Sequence, residues 1–491
     1  MTSRTLPGGL DIRPARSAEP ARPGARRLAL AVIGVGTMMT FINVSSTIGA
    51  LSAIAGDLHS SPTATVWISS MYSLVVATFI LAAGTAADLF GRRAVFMAGA
   101  AAFVLGSGVA VLAPSTGVLI AAQAVMGLGG ACVLPAGLSA ISELFPDPAE
   151  RTGAVSIWAA SSGVGVAVGP VAAGVLIDAW SWHAVFLVNV VLGAATLIGA
   201  LAVIPESRQR SRRLDPVGIV LATVAIGSLT FGIIEGRSRG YSSPVILAAD
   251  VLACAALIAF VRYELRRTDP MLDVRLFRSA SFSSVMGVAA VTMFGFTGGS
   301  LMVVLYLQRV QGTDALGAGL RILIMFVPFV VVSPLAARLV RRLGFKVLIT
   351  AGLVMMAVGV LLFLLAGPQS GLGPLVPGLI VAGIGSGLLI APSTAAAMIS
   401  VSHRQAGMAS SAVNMFRQLG NVLGTAVLGT VLTSQYATAL ARRLADAEPA
   451  ERAVPEAFTE AFHSGTLVAG AVLLAAAVPA FLFIRSRPAA A

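Results

Sequence analysis

The sequence predicts an all-α polytopic membrane protein: fourteen transmembrane helices, arranged as two six-helix halves plus two inserted helices, with both termini cytoplasmic. Three observations predict it. Of the 491 residues, 57% are hydrophobic and only 11% charged, with a mean hydropathy of +0.91. A soluble domain carries about 25% charged residues, so this much apolar surface needs lipid as its solvent. Apolar runs recur at about 20 residues, long enough to cross a ~30 Å hydrocarbon core as helix, whereas a spanning strand needs about 10 alternating residues. The basic residues are also lopsided. With the N-terminus inside, 25 of the 33 Lys and Arg fall on cytoplasmic segments and 6 on the opposite side, with Arg321 and Arg417 inside spans. That is the positive-inside pattern.

Along the chain, residues 1–27 are rich in Arg, Pro, Gly and Ala and read as a disordered cytoplasmic tail. Span 1 covers 28–54; its apolar run is too long for a signal peptide and has no obvious cleavage site. Spans 2 to 6 follow at 66–87, 94–112, 117–145, 152–176 and 183–204, completing an N-terminal six-helix half over 28–204. Residues 205–281 hold two inserted helices, 215–235 and 244–262, between basic loops. Spans 9 to 14, at 282–308, 315–337, 347–366, 374–400, 406–433 and 464–484, form a C-terminal half over 282–484, and 485–491 is a cytoplasmic tail. The stretch 434–463 is the longest external loop and mildly amphipathic, which predicts a short surface helix. The halves show weak internal symmetry. Span 4 has Gly127-Leu128-Gly129 followed by Pro135, and span 12, fourth in its own set, has Gly383-Ile384-Gly385 followed by Pro392. Parallel repeats of this kind place a substrate cavity between the halves near the midplane.

Composition excludes several function classes. The net charge of +12 sits in short loops rather than in a patch with interleaved aromatics, which argues against nucleic acid. Cys132 and Cys254 both lie in apolar segments, so no disulfide framework is indicated. The four histidines lack metal-ligand spacing, no phosphate-binding loop is present, and no catalytic constellation appears. The chain therefore reads as a non-enzyme without cofactor or metal.

The loop after span 2 reads Gly84-Thr-Ala-Ala-Asp88-Leu-Phe-Gly91-Arg92-Arg93. Asp88 can meet the N-terminal end of a neighbouring helix, where the dipole favours a carboxylate, while Gly84 and Gly91 permit close approach and a tight turn. This resembles the signature of the major facilitator superfamily, G-x-L-x-D-R-x-G-R-R, with Leu89 in place of the first arginine. Span 5 carries Gly163, Gly165, Gly169, Pro170 and Gly174. Gly165 and Gly169 share one face, where another helix can pack closely, and Pro170 removes a backbone donor; the pattern resembles the motif of the superfamily's exporters. Trp67-x4-Tyr72, Leu214-Asp215-Pro216-x-Gly218, Glu235-Gly236, and Gly407-Met-Ala409-Ser410 with Asn414, Arg417-Gln418, Gly420, Gly424 and Gly429 narrow the resemblance to the fourteen-helix drug–proton antiporter branch. It covers about 28–484. It implies the major facilitator fold, gating by the two motifs, and a multi-pass plasma-membrane exporter of amphipathic small molecules. Protons are the candidate coupling ion, and the lipid bilayer is the other partner.

The chain departs from that branch at two intramembrane charges. Asn43 stands where the family has an aspartate in span 1, and Gln123 where it has an arginine in span 4; Met126 also replaces a glutamine, and Ile48 and Ser52 replace an asparagine and a proline. A lone intramembrane charge costs at least ~2.5 kcal/mol, so losing one partner would strand the other. Losing both leaves amides that can still share hydrogen bonds and removes a titratable group. Asp250 and Glu235 are the remaining candidates for proton coupling, with Asp250 placed away from the expected cavity. Candidate cavity residues are Asn43, Trp67, Tyr72, Gln123, Met126, Phe294, Phe296, Tyr306, Gln308, Asn414, Met415 and Arg417, each of which in sequence looks the same as a core or lipid-facing residue. Two alternatives stand beside the exporter: an uncoupled facilitator or lipid transporter, and a non-transporting membrane sensor.

Overall fold

The computed structural model describes residues 23–207, 214–268, 270–401, 406–447 and 449–484. The tail residues 1–22 and 485–491 and most of the basic run after span 6 lie outside them. Among the described residues the chain is helical without strands: α1 (Pro23–Asp57), α2 (Pro62–Phe90), α3 (Arg92–Val111), α4 (Thr116–Leu144), α5 (Pro148–Ala179), α6 (Trp182–Val203), α7 (Pro216–Arg239), α8 (Pro244–Arg266), α9 (Ala280–Arg309), α10 (Ala315–Leu361), α11 (Leu375–Ile399), α12 (Ala406–Ala445) and α13 (Ala450–Phe483). Spans 10 and 11 run together as α10, broken at Gly344, whose φ of 76° only a glycine adopts at little cost. Spans 12 to 14 are therefore α11 to α13.

Helix starts follow local chemistry. Prolines open α2, α7 and α8 at the first turn, where no N–H is needed, behind Ser61, Asp215 and Ser243, whose side chains accept from the N–H three residues on. Two expectations need correction. Residues 23–27 belong to α1 rather than to a tail, and Arg26 reaches Glu150 of α5 at 3.8 Å. The external stretch 434–463 is no separate surface helix. Instead α12 extends to Ala445 and α13 starts at Ala450, and Arg442 and Arg443 of one zip onto Glu456 and Glu460 of the other.

Thirteen segments of the described residues are long and apolar enough to cross a bilayer. Span 13, on α12, falls outside that set, since it carries Asn414, Arg417, Gln418 and Asn421. The first six helices pack among themselves: α1 on α5 and α6, α2 on α4, α3 on α4 and α6. Helices α9 to α13 pack likewise, α9 on α12 and α13, α10 on α11 and α13. The α7–α8 hairpin leans on α2 and α12 through α7, and much of α8 is exposed, as a lipid-facing helix should be.

Between helices in lipid there is no hydrophobic drive, so close backbone approach at small residues holds them together. The paired glycines do this in parallel. A Cβ at Gly127 would meet the Tyr72 carbonyl of α2 at 2.8 Å, and one at Gly129 the Gly99 carbonyl of α3 at 2.6 Å. In the second set, Gly383 lies on the Met325 carbonyl in the first part of α10, and Gly385 on Gly352 and Met356 in the second part. In each half, the first glycine thus seats the fourth helix on the second, and the second glycine seats it on the third.

Candidate functional site

Midway along α1, Asn43 lies wholly buried, and the side chains around it are amides. Its Nδ2 donates to Gln123 Oε1 of α4 at 3.1 Å, and its Oδ1 accepts from Asn189 Nδ2 of α6 at 3.0 Å. Gln123 Nε2 donates onward to Thr47 Oγ1 at 3.1 Å, one turn beyond Asn43 on the same helix face. Exposure is 0% for Asn43 and Asn189 and 1% for Gln123. Three helices are thus joined by neutral hydrogen bonds worth about 0.6–2 kcal/mol each in lipid. Asn189 was not anticipated from the sequence; an asparagine in an otherwise apolar span was the signal that could have found it.

Contacts between the first six helices and α9–α13 gather toward the outer ends. Ser52 Oγ donates to Gln308 Oε1 at 2.5 Å, and Gln308 Nε2 donates to the Gly49 carbonyl at 3.1 Å. Ser70 and Thr425 share a hydrogen bond of 2.9 Å. On α5, Gly165 and Gly169 seat the helix on Met38, Ser45 and Ser46 of α1, and Ser45 Oγ donates to the Gly165 carbonyl. Further out, Gly174 rests on the Leu316 backbone of α10, while Gly319 of α10 rests on the Pro170 carbonyl. The glycine–proline run of α5 therefore packs on its own half by one face and on the opposite half by the other. The molecule is closed on its outer side. Beside this closure Trp67 Nε1 donates to Glu235 Oε1 at 3.0 Å, tying α2 to α7, and Glu235 also pairs with Arg239 at 3.2 Å.

On the inner side the loop at 84–93 is a charge cluster inside the first half. Arg92, opening α3, pairs with Asp88 at 3.6 Å and with Glu143 of α4 at 2.5 Å. Gly91 turns at φ 114°, with the Glu206 carboxyl against it, and Arg92 N donates to the Ser207 carbonyl at 3.0 Å. Arg93 lies half-buried alongside. Gly84 differs from expectation: a Cβ there would sit an ordinary 3.6 Å from Pro135, so no close approach requires glycine.

Arg417 of α12 turns to α11. It donates to the Ile390 carbonyl at 2.5 Å, to Thr394 Oγ1 at 2.8 Å and to Ser393 Oγ at 3.2 Å, around the Pro392 break, and to Asn414 Oδ1 at 3.4 Å. Polar groups continue outward along α12, where Asn421 accepts from Thr297 of α9 at 2.6 Å and donates to Gln418 at 2.8 Å.

The remaining candidates scatter. Tyr306 is buried in the second half, stacked on Phe462, with its hydroxyl donating to the Gly367 carbonyl at 2.6 Å. Met126 lies under Ser107 and Gly106 of α3. Phe296 packs on Phe326 and Phe329 of α10, and Tyr72 lies edge-on to Phe103. Phe294 offers its backbone to Gly424, and Met415 is buried on α12. Asp250 is exposed on α8, its carboxyl over Gly232 of α7. Structure therefore brings Trp67 together with Glu235 and Asn43 with Gln123, and it sets Tyr306, Met126 and Asp250 apart.

A family model described as Major Facilitator Superfamily matches residues 33–425. The multidrug resistance protein Stp of Mycobacterium tuberculosis is 36% identical over 430 residues, covering 87% of this chain and 79% of that protein. A tetracenomycin C resistance and export protein of Streptomyces glaucescens is 30% identical over 519 residues, covering 98% and 95%. Among solved structures, a bacterial homologue of the human lysosomal transporter Spinster, inward-facing and unoccupied, superposes with a TM-score of 0.67 at 16% identity, covering 95% of this chain and 98% of that one. That last likeness speaks for the fold.

Proposed function

The chain belongs to the Major Facilitator Superfamily, a multi-pass protein of the plasma membrane, and from that premise we propose that it exports amphipathic small molecules of the drug and antibiotic kind by alternating access. The observation that carries the reading is the outer closure. Two helix groups meet there through glycines and a few hydrogen bonds, a seam that can part without unfolding either group. With the outer side closed, cargo enters from the cytoplasm; parting the seam at Gly174, Gln308 and Thr425 would release it outside. The relatives' resistance and export functions support this direction.

For the energy source, the buried amides at Asn43, Gln123 and Asn189 offer no proton to exchange near the usual span 1 position. Glu235 is then the carboxylate best placed to couple, since it joins α2 to α7 beside the seam. The amide cluster also favours a second reading, an uncoupled facilitator. Dye or antibiotic uptake into everted vesicles separates the two, with a proton gradient imposed and then collapsed by an ionophore. Uptake that vanishes with the gradient, and that falls about tenfold or more in Glu235→Gln at unchanged abundance, equivalent to about 1.4 kcal/mol, is the expected result for proton-linked export. Uptake indifferent to the gradient would establish the facilitator. No uptake from a broad panel would contradict both.

A further inference from the structure

The cytoplasmic end of the α7–α8 hairpin holds two buried carboxyls that the transport pathway does not use. Asp215 caps α7 and is 3% exposed; Glu264, in the last turn of α8, is 2% exposed. One face of Asp215 is well served. Its Oδ1 accepts from Gly218 N at 3.0 Å, from the Tyr263 hydroxyl at 3.0 Å and from Arg267 Nη1 at 3.4 Å. Its Oδ2 has no partner, and neither has Glu264 Oε1. Both orphan oxygens lie over the same glycine: a Cβ on Gly218 would be 2.7 Å from Asp215 Oδ2 and 2.8 Å from Glu264 Oε1. The two side chains are within hydrogen-bonding reach of each other.

Two facing carboxylates cannot satisfy one another, because neither has a donor. Both side chains are almost wholly shut off from solvent, and buried acceptors left open are costly. One proton held between the two oxygens would satisfy both at once and would halve the buried negative charge, leaving Arg267 to balance the remainder. We propose that Asp215 and Glu264 bind a single shared proton, taken from the cytoplasmic side, and that this proton fastens the inserted hairpin to the linker feeding α9.

The linker connection runs through the other oxygen of the same side chain. Glu264 Oε2 accepts from Leu272 N at 3.5 Å, the next residue's N–H meets Met408 Sδ of α12, and Arg275 donates to the Leu265 carbonyl. The charged and titratable groups facing the pair are Asp215 from α7, Tyr263 and Glu264 from α8, and Arg267 just beyond it; from the linker, Leu272 brings a main-chain donor, with Asp273 and Arg275 next along the chain. With the proton bound, Glu264 stays over Gly218 and holds the linker. With the proton lost, two like charges share one arginine, Glu264 withdraws, and the linker into α9 loosens. The device senses cytoplasmic pH and sits apart from the substrate path, so it stands whether or not export is driven by protons.

Infrared spectroscopy on the full-length protein in lipid nanodiscs tests the shared proton. The wild type should show a protonated-carboxyl C=O band near neutral pH that disappears on alkaline titration and is absent from Glu264→Gln and Asp215→Asn. Glutamine supplies its own N–H to Asp215, so that variant keeps the hairpin folded. Hydrogen exchange over 270–279, corrected for the chemical rate, reads the linker. It should speed up about tenfold in the wild type between pH ~6 and ~9 and stay slow in Glu264→Gln. A C=O band unchanged by both substitutions would overturn the proton site. Wild-type exchange that is flat with pH, or a Glu264→Gln protein that loosens with pH as the wild type does, would overturn the link to the linker.

Discussion

Replacing Gly174 with leucine is expected to cut export roughly tenfold or more while leaving the protein abundant in the membrane. Gly174 lies on the backbone of Leu316, where a side chain has nowhere to go, and overpacking costs about 1–3 kcal/mol. The contact joins α5 to α10 across the seam, so that penalty falls on the outward-closed state alone. The protein can escape it by staying open to the outside, with each helix group intact. A cysteine placed at Ser52, which here bonds to Gln308, should then react with an impermeant thiol reagent from outside far more readily than in the parent. Gly99 makes the contrast, since its Cβ would strike Cys132 and the Gly129 carbonyl inside one half. Its leucine variant has no open state in which to hide and should lose abundance. Normal export with the outer side sealed in Gly174→Leu would sink the seam as a gate.

The second large effect is expected at Asn43. Substituting aspartate puts a carboxylate at a fully buried position whose neighbours Gln123 and Asn189 are neutral. An unpaired intramembrane charge costs at least ~2.5 kcal/mol, so export or abundance should fall by about sixtyfold or more. Adding Gln123→Arg supplies the countercharge and should recover most of the loss. The same arginine without the aspartate should be as damaging as the aspartate alone. Initial rates of dye export normalised to membrane abundance measure all three, and equal rates for single and double variants would refute charge pairing here.

Much of the architecture was legible because lipid imposes a coarse grammar: every span needs about 20 apolar residues, and loops carry the basic charge inside. The paired Gly127/Gly129 and Gly383/Gly385 carried real contact information, since in lipid a glycine marks where backbones touch. What sequence could not convey is which residues distant in the chain meet. Tyr306 resembled a cavity aromatic, yet its hydroxyl is taken by the Gly367 carbonyl; Gln308 resembled a cavity amide, and instead bonds to α1 across the seam. Asn189 joins Asn43 from 146 residues away. Helix ends beyond the bilayer were also missed. Hydropathy falls silent where α12 and α13 leave the lipid, and charge pairs between Arg442, Arg443, Glu456 and Glu460 carry the helices onward. Gly344 concealed a feature of the opposite kind, in which two spans follow one another through a kink at a single residue instead of across a loop.

The polar face of α12 bears on how the protein is made. Insertion at the translocon charges about 2.5–3.5 kcal/mol for an arginine at a helix centre, and α12 adds Asn414, Gln418 and Asn421 to Arg417. Such a segment enters lipid poorly by itself. Its acceptors and donors are on α11 and α9, at Ile390, Thr394 and Thr297, and both helices leave the ribosome earlier. Synthesis order thus makes the preceding helices an assembly platform, and α12 joins the membrane as a guest of partners already in place.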